Sequence, residues 1–257
     1  MLPEESGVLG YSGGIDSAIL ATLLSKGGKK IALLTLGREG SSDILATSGL
    51  SFNVFSGTEV SSKILSVEDI ENAAHSVTDV VSVSNLAHFE DCLAFWLIGE
   101  TTKSLPHTDY VVSGNGPDEL FCGYDRFRRI VDSYGYDAAQ KEIRTALTNA
   151  EKLGEQVKRV LANFDLKIYE PLLQESFKET CIQIPINYKI LRGDDLLRKR
   201  VWRCFGRSIG IPESVVTRPK KAMQYGMGLH QIVISMVKRG RLSLDFPRHS
   251  DMPTPLA

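Results

Sequence analysis

One short segment constrains this chain more than any other. Val8-Leu9-Gly10-Tyr11 reads as a strand, Ser12-Gly13-Gly14-Ile15-Asp16-Ser17 as a turn, and Ala18 to Leu24 as the body of a helix. Two adjacent glycines let the backbone approach a ligand with no Cβ in the way. Their N–H groups and the hydroxyls of Ser12 and Ser17 can surround an anion at the positive end of the helix. The segment is therefore a candidate phosphate cradle. It lacks the lysine of the common G-x-x-x-x-G-K-S/T loop. Asp16 makes sense inside such a cradle where Mg²⁺ lies between carboxylate and phosphate. The plainer alternative is a surface turn with an N-capping serine.

A second segment repeats the arrangement. Tyr110-Val111-Val112 reads as a strand, and Ser113-Gly114-Asn115-Gly116-Pro117-Asp118 follows at once. Asp118 at a helix start is either a charge that complements the helix dipole or, beside Asp16, a second Mg²⁺ ligand.

The rest of the first half alternates in the same way. Ser17 to Lys26 is expected to be a helix, Lys30 to Leu36 a buried strand, and Ser41-Ser42-Asp43 the cap of a short helix ending near Gly49. Phe52 to Phe55 reads as a further strand, Ser66 with Asp69 as a capping box for a helix to about His75, and Leu86 to Lys103 as a helix with an apolar face. Strands alternating with helices predict an α/β fold with a doubly wound parallel sheet. Ligands bind such sheets beyond the strands' carboxyl ends, where both glycine turns would lie. From about Asp125 strand signals fade. Ala138 to Ala150, Glu155 to Asn163 and Asp194 to Arg207 read as amphipathic helices. The expected organisation is one domain over 1–257: an α/β nucleotide core at 1–134, a helical part completing the site at 135–245, and a tail at 246–257.

Composition narrows the class. With 257 residues, 42% hydrophobic and 24% charged, the chain can bury a sizeable core. Lys and Arg total 30 and Asp and Glu 31, which argues against a nucleic-acid surface over the whole molecule. The cluster Arg198-Lys199-Arg200 with Arg203 and Arg207 reads first as a solvated helix face, and second as a group near pyrophosphate. The four cysteines show no C-x-x-C spacing and read as reduced thiols, so a cytoplasmic location is expected. No apolar run is long enough to span a membrane, and Met1 to Ser6 does not look like a signal peptide. His75, His88, His107 and His230 lack metal-ligand spacing.

S-G-G-x-D-S resembles the signature of the PP-loop ATP pyrophosphatases. With S-G-x-G-x-D-E-L-F-x-G-Y about a hundred residues later, the chain resembles the synthetase domain of asparagine synthetases and of their relative β-lactam synthetase. Ser42-Asp43, Ile211-Pro212-Glu213 and Arg218-Pro219-Lys220-Lys221-Ala222 extend the resemblance over most of 6–230. It implies an adenine nucleotide α-hydrolase-like fold and a ligase. Such a ligase adenylates a small-molecule carboxylate acceptor with ATP, releases pyrophosphate, and passes the acyl group to ammonia or an amine. By position, Ser12, Gly13, Gly14 and Ser17 would hold pyrophosphate, and Asp16 and Asp118 would bind Mg²⁺. Leu33 or Leu34 would flank the adenine, and Ser113-Gly114 would approach the nucleotide. Lys220 would neutralise charge at the α-phosphate, an effect worth roughly 3 or 4 kcal/mol. A solvated surface lysine is the alternative.

The pattern also breaks. Leu2 stands where full-length relatives carry the glutaminase cysteine, so a stand-alone synthetase domain is expected, with a separate glutaminase left open as a partner. Asn115 replaces a glutamate or tyrosine, and Gln174 in Pro171-Leu172-Leu173-Gln174 replaces an acid. Both are expected to face the acceptor. Amides do not accept a proton at neutral pH, so asparagine synthesis is in doubt while ATP binding is not. Two other classes compete: a PP-loop RNA-modifying enzyme, and a nucleotide-binding scaffold with altered chemistry.

Overall fold

The computed structural model describes residues 6–48, 59–82, 85–106 and 108–244 of the 257. The expected strand at Phe52–Phe55, the expected tail and His107 lie outside the described residues.

The first half unfolds as β1 (Ser6–Gly10), α1 (Ile15–Lys26), β2 (Ile31–Gly37), α2 (Ser42–Ser48), β3 (Val60–Ile64), α3 (Val67–Val80), α4 (Leu86–Thr102), β4 (Thr108–Val112) and α5 (Pro117–Leu120). The second half begins with α6 (Asp125–Ala162) and β5 (Lys167–Tyr169), then α7 (Glu175–Gln183), α8 (Ile186–Lys189), α9 (Arg200–Ser208), α10 (Glu213–Val216), α11 (Met223–Gly226) and α12 (His230–Lys238). The sheet has five strands in the order β3-β2-β1-β4-β5, and every pairing is parallel. β1 pairs β2 through Val8↔Ala32 and β4 through Val8↔Val111. The chain first winds away from β1 on one side and then returns on the other, so the switch point lies between β1 and β4. The two glycine turns leave those strands side by side.

Alternation along the strands separates two cores. Leu9, Leu33 and Val112 pack with α1 on one face, and Val8, Leu34 and Val111 with α3 and α4 on the other. The long helix α6 serves both: Phe127, Ile143 and Ala146 join the first core, Val157, Val160 and Leu161 the second. The sequence suggested two separate helices there. The helix runs on through 151–154 instead, and its break sits earlier, at a kink at Gly135, where φ is 79° and ψ −177°. The Ser66–Asp69 capping box forms as expected, with Asp69 N donating to Ser66 Oγ at 3.0 Å and Ser66 N to Asp69 Oδ2 at 2.8 Å. The helix it starts runs on past His75 to Val80. β3 escaped sequence reasoning: Val60-Ser61-Ser62-Lys63-Ile64 is a polar, half-exposed edge strand.

Candidate active site

Beyond the carboxyl ends of β1 and β4 lies a cavity of about 800 Å³. Ser12, Gly14, Asp16, Ser17, Leu34, Ser113, Gly114, Asn115, Asp118 and Lys220 all line it. Three anticipated residues do not. Gly13 makes the turn from behind. Leu33 points to the opposite face of the sheet, into the core with Leu9, because adjacent strand residues alternate faces. Gln174 is exposed at the N-cap of α7 and does not face the cavity, since the preceding 3-10 turn, Pro171–Leu173, buries Leu172 instead.

The first loop is tied at both ends. Tyr11 N donates to Leu34 O at 2.8 Å and Thr35 Oγ1 to Tyr11 O at 2.7 Å, which fixes where the strand stops. Gly14 N donates to Ser12 Oγ at 3.3 Å, and the Ser12 and Ser17 hydroxyls lie 3.3 Å apart. Gly14 caps α1 without a side-chain partner, so that helix opens toward the cavity with free N–H groups. Gly13 sits at φ +67°, and a Cβ there would come within 3.1 Å of Arg218 Nη1. The Arg218 guanidinium explains this crowding. It donates to Ser12 O at 2.7 Å and to Ser42 O at 2.9 Å, and it contacts Asp43 Oδ1 at 3.2 Å. Asp43 is thus more than a helix cap. Burial pushes its carboxyl up to about 6 despite the opposing arginine.

The second loop approaches the first closely. A Cβ on Gly114 would lie 3.8 Å from Ser17 N. Asn115 N donates to Ser113 Oγ at 3.1 Å, and its side-chain Nδ2 donates to Glu170 Oε1 at 3.2 Å. Its amide is therefore engaged with a carboxylate that sequence reasoning did not single out.

Asp16 and Asp118 are brought together, and a third residue lies between them. Lys199 Nζ is 2.5 Å from Asp16 Oδ2 and 2.9 Å from Asp118 Oδ1, with its side chain 0% exposed. Lys220 Nζ lies 3.5 Å from Asp118 Oδ2 and over the Tyr124 ring. Burial works against the charge on Asp118, but the two ammonium groups outweigh it and hold its carboxyl down at about 2. Trp202 Nε1 donates to the other Asp16 oxygen at 3.0 Å, and its ring stacks on Phe121 at 4.9 Å. The basic run at 198–207 is therefore no simple solvated face. Arg207 does pair at the surface with Glu213, but Lys199 and Arg203 are buried at 0% and 3% exposure. The readable signal was Trp202 inside the charged run, a large apolar ring that turns one helix face inward, while Phe205 stays exposed.

Helices α4 and α6 form the wall, with Ala87, His88, Asp91 and Phe95 from one and Ala146, Asn149, Ala150 and Leu153 from the other. Burial, reinforced by Glu90, Glu119 and Asp118, pushes Asp91 up to about 7 against the pull of Lys220. Burial and the Asp118 charge likewise raise Glu119 to about 7, although it accepts a hydrogen bond from Tyr124 Oη at 2.5 Å.

The donor set suits magnesium. Among the described residues no group of three or more His, Cys, Asp or Glu forms a cage, and Mg²⁺ characteristically takes one or two carboxylates plus substrate phosphates. Asp16 and Asp118 supply two such carboxylates, and the buried Asp118 Oδ1 accepts no well-aligned hydrogen bond. No described helix is long and apolar enough to cross a membrane.

Known proteins resemble this chain over much of its length. Residues 10–164 match the family described as asparagine synthase. A Methanocaldococcus jannaschii protein with the provisional name asparagine synthetase (glutamine-hydrolyzing) 1 is 26% identical over 258 residues, covering 89% of this chain and 47% of that protein. The chain spans about half the length of that relative.

Proposed function

Because the chain belongs to the asparagine synthase family, a family of ATP-dependent ligases, we propose that it joins a carboxylate to ammonia or an amine through an acyl-adenylate. The observation that carries this reading is the convergence of Asp16, Asp118 and Lys220 on two loops that leave neighbouring strands.

In this reading the N–H groups at the start of α1, with Ser12 and Ser17, bind the β- and γ-phosphates. Leu34 packs against the base, and Ser113-Gly114 faces the ribose. An acceptor carboxylate oxygen attacks the α-phosphorus, the bond to the β-phosphate oxygen breaks, and pyrophosphate leaves. Asp16 and Asp118 would hold Mg²⁺, which would neutralise phosphate charge. Lys220 faces the α-phosphate, where its ammonium stabilises the negative charge that builds up in the transition state. The amine then attacks the acyl carbon, AMP departs, and the nitrogen loses a proton. Asn115 cannot take that proton. Asp91, in the same cavity and with its carboxyl near 7, has the matched affinity for it. Residues 1–134 would supply the nucleotide core and residues 135–245 the groups that complete it, ahead of a tail at 246–257. A separate glutaminase would serve as an ammonia source.

ATP–pyrophosphate exchange, measured over a panel of carboxylic acids with Mg²⁺, tests the first half of this reaction. Exchange that depends on the acid and is lost in Asp118→Asn is expected. ATP cleavage to ADP and phosphate, with no exchange for any acid, would overturn the reading.

A further inference from the structure

We propose that the Lys199 ammonium is a built-in counter-cation that closes the Asp16–Asp118 pair to free divalent metal, so that metal enters this site only together with a nucleotide. The inference rests on the reading of these two aspartates as metal ligands.

The position of the ammonium is the first argument. It contacts one oxygen of each carboxylate, at 2.5 and 2.9 Å, and is sealed from solvent. The second Asp16 oxygen is held by Trp202 Nε1 at 3.0 Å and the second Asp118 oxygen faces Lys220 at 3.5 Å. Two half-buried carboxylates with no cation between them would repel each other and attract any divalent ion. With Lys199 and Lys220 in place, the two negative charges meet two positive ones. A free metal ion must then displace a buried ammonium from both of its carboxylates, and an unpaired buried charge is costly. A nucleotide changes this balance. Its phosphates bring negative charge for the lysines, and the metal arrives already bound to it.

The chain also gives up local ease to place this group. Arg198 and Lys199 are consecutive non-glycine residues at φ 52° and 51°, a left-handed conformation that L-residues disfavour. The turn is clamped on both sides. Asp195 accepts from Leu191 N at 3.1 Å, Arg198 N at 3.0 Å and Arg200 Nε at 2.6 Å. Arg203 Nε donates to Leu197 O at 3.1 Å and Arg198 O at 2.9 Å, while its Nη1 reaches Arg218 O at 3.1 Å. Gly123 leaves the path open: a Cβ there would lie 2.2 Å from Lys199 Cε and 2.0 Å from Asp118 Oδ1. Strain held by surrounding contacts in this way commonly marks a working part of a site.

Mn²⁺ serves as the probe, followed by the loss of its free-ion electron paramagnetic resonance signal. Wild-type protein alone should leave millimolar Mn²⁺ free, and a non-hydrolysable α,β-methylene ATP should carry Mn²⁺ onto the protein, read as a change from the Mn²⁺–nucleotide spectrum recorded without protein. In Lys199→Gln, Mn²⁺ should bind without nucleotide about tenfold or more tightly than in wild type, a change of about 1.4 kcal/mol. Equal Mn²⁺ affinity of the two nucleotide-free proteins overturns the proposal. Should Lys199→Gln not fold, wild-type melting decides. An unchanged midpoint on adding MgCl₂ alone, with a rise on adding nucleotide plus MgCl₂, supports the proposal, and a rise with MgCl₂ alone overturns it. Failure of nucleotide and metal together to bind would overturn the assignment of the aspartates as well, which separates the two failures.

Discussion

The floor of the cavity is assembled by charge, and its wall by helix packing. On the floor, Arg218 grips Ser12 and Lys199 grips Asp16, each across more than half of the chain, and Lys199 also grips Asp118. The wall is made of turns of α4 and α6 that were already needed for the cores, with Asp91, Asn149 and small residues facing in. The floor tolerates little change, because each charge there answers another. The wall can exchange side chains without unpicking the fold.

This contrast can be broken at several points. The largest effect is expected at Lys220→Ala, which should lower adenylate formation about 10²–10³-fold while melting within a few degrees of wild type. A melt far below wild type with exchange intact would make Lys220 a structural residue of the floor. Next is Gly13→Ala. Forcing a side chain into φ +67° against Arg218 should cost roughly 1–2 kcal/mol of stability and weaken ATP binding, as read by calorimetry; unchanged affinity would show that the turn does not shape the cradle.

The wall should respond in the opposite sense. Asp91 in the folded protein titrates near 7, against 3.8 ordinarily. Between those values the folded state keeps a proton that the unfolded chain has released. Its stabilising contribution is complete below the ordinary value and is lost as pH rises through about 7. Asp91→Asn should therefore melt higher than wild type at pH 8, match it near pH 4, and lose amide formation more than pyrophosphate exchange. An unchanged melt across this range would place Asp91 in contact with solvent. The smallest effect is expected at Asn115→Ala. It removes one hydrogen bond to Glu170 and should cost about 1 kcal/mol, with exchange altered only a few-fold. Loss of exchange on the scale of Lys220→Ala would move Asn115 from the acceptor side to the nucleotide.

Legibility in the sequence follows the same division. The β1–turn–α1 and β4–turn–α5 units were readable because glycine, serine and aspartate at fixed spacing each answer a local backbone need. The capping box of α3 was readable for the same reason. Leu34 and Leu33 could not be told apart until the register of β2 against β1 set which face each one takes. β3 was hidden, because an edge strand that is exposed on alternate residues carries little apolar signal. Lys199 was hidden for a different reason. A buried ammonium looks like any other basic residue in a charged run, and only the distant aspartates, Asp16 183 residues earlier and Asp118, identify it. Gln174 shows the converse error. A position inferred from a short similar run was carried outward by the packing of Leu172.

The Arg218–Ser12 hydrogen bond has a consequence for synthesis. Its two ends are 206 residues apart, so at about 5–20 residues per second the phosphate turn leaves the ribosome roughly 10–40 s before its clasp. During that interval the strands around it can pair and the loop's own hydrogen bonds can form, yet its carbonyl at Ser12 lacks the guanidinium that braces it against α2. Nucleotide binding by the nascent protein should appear late and abruptly, once the segment carrying Arg218 has emerged.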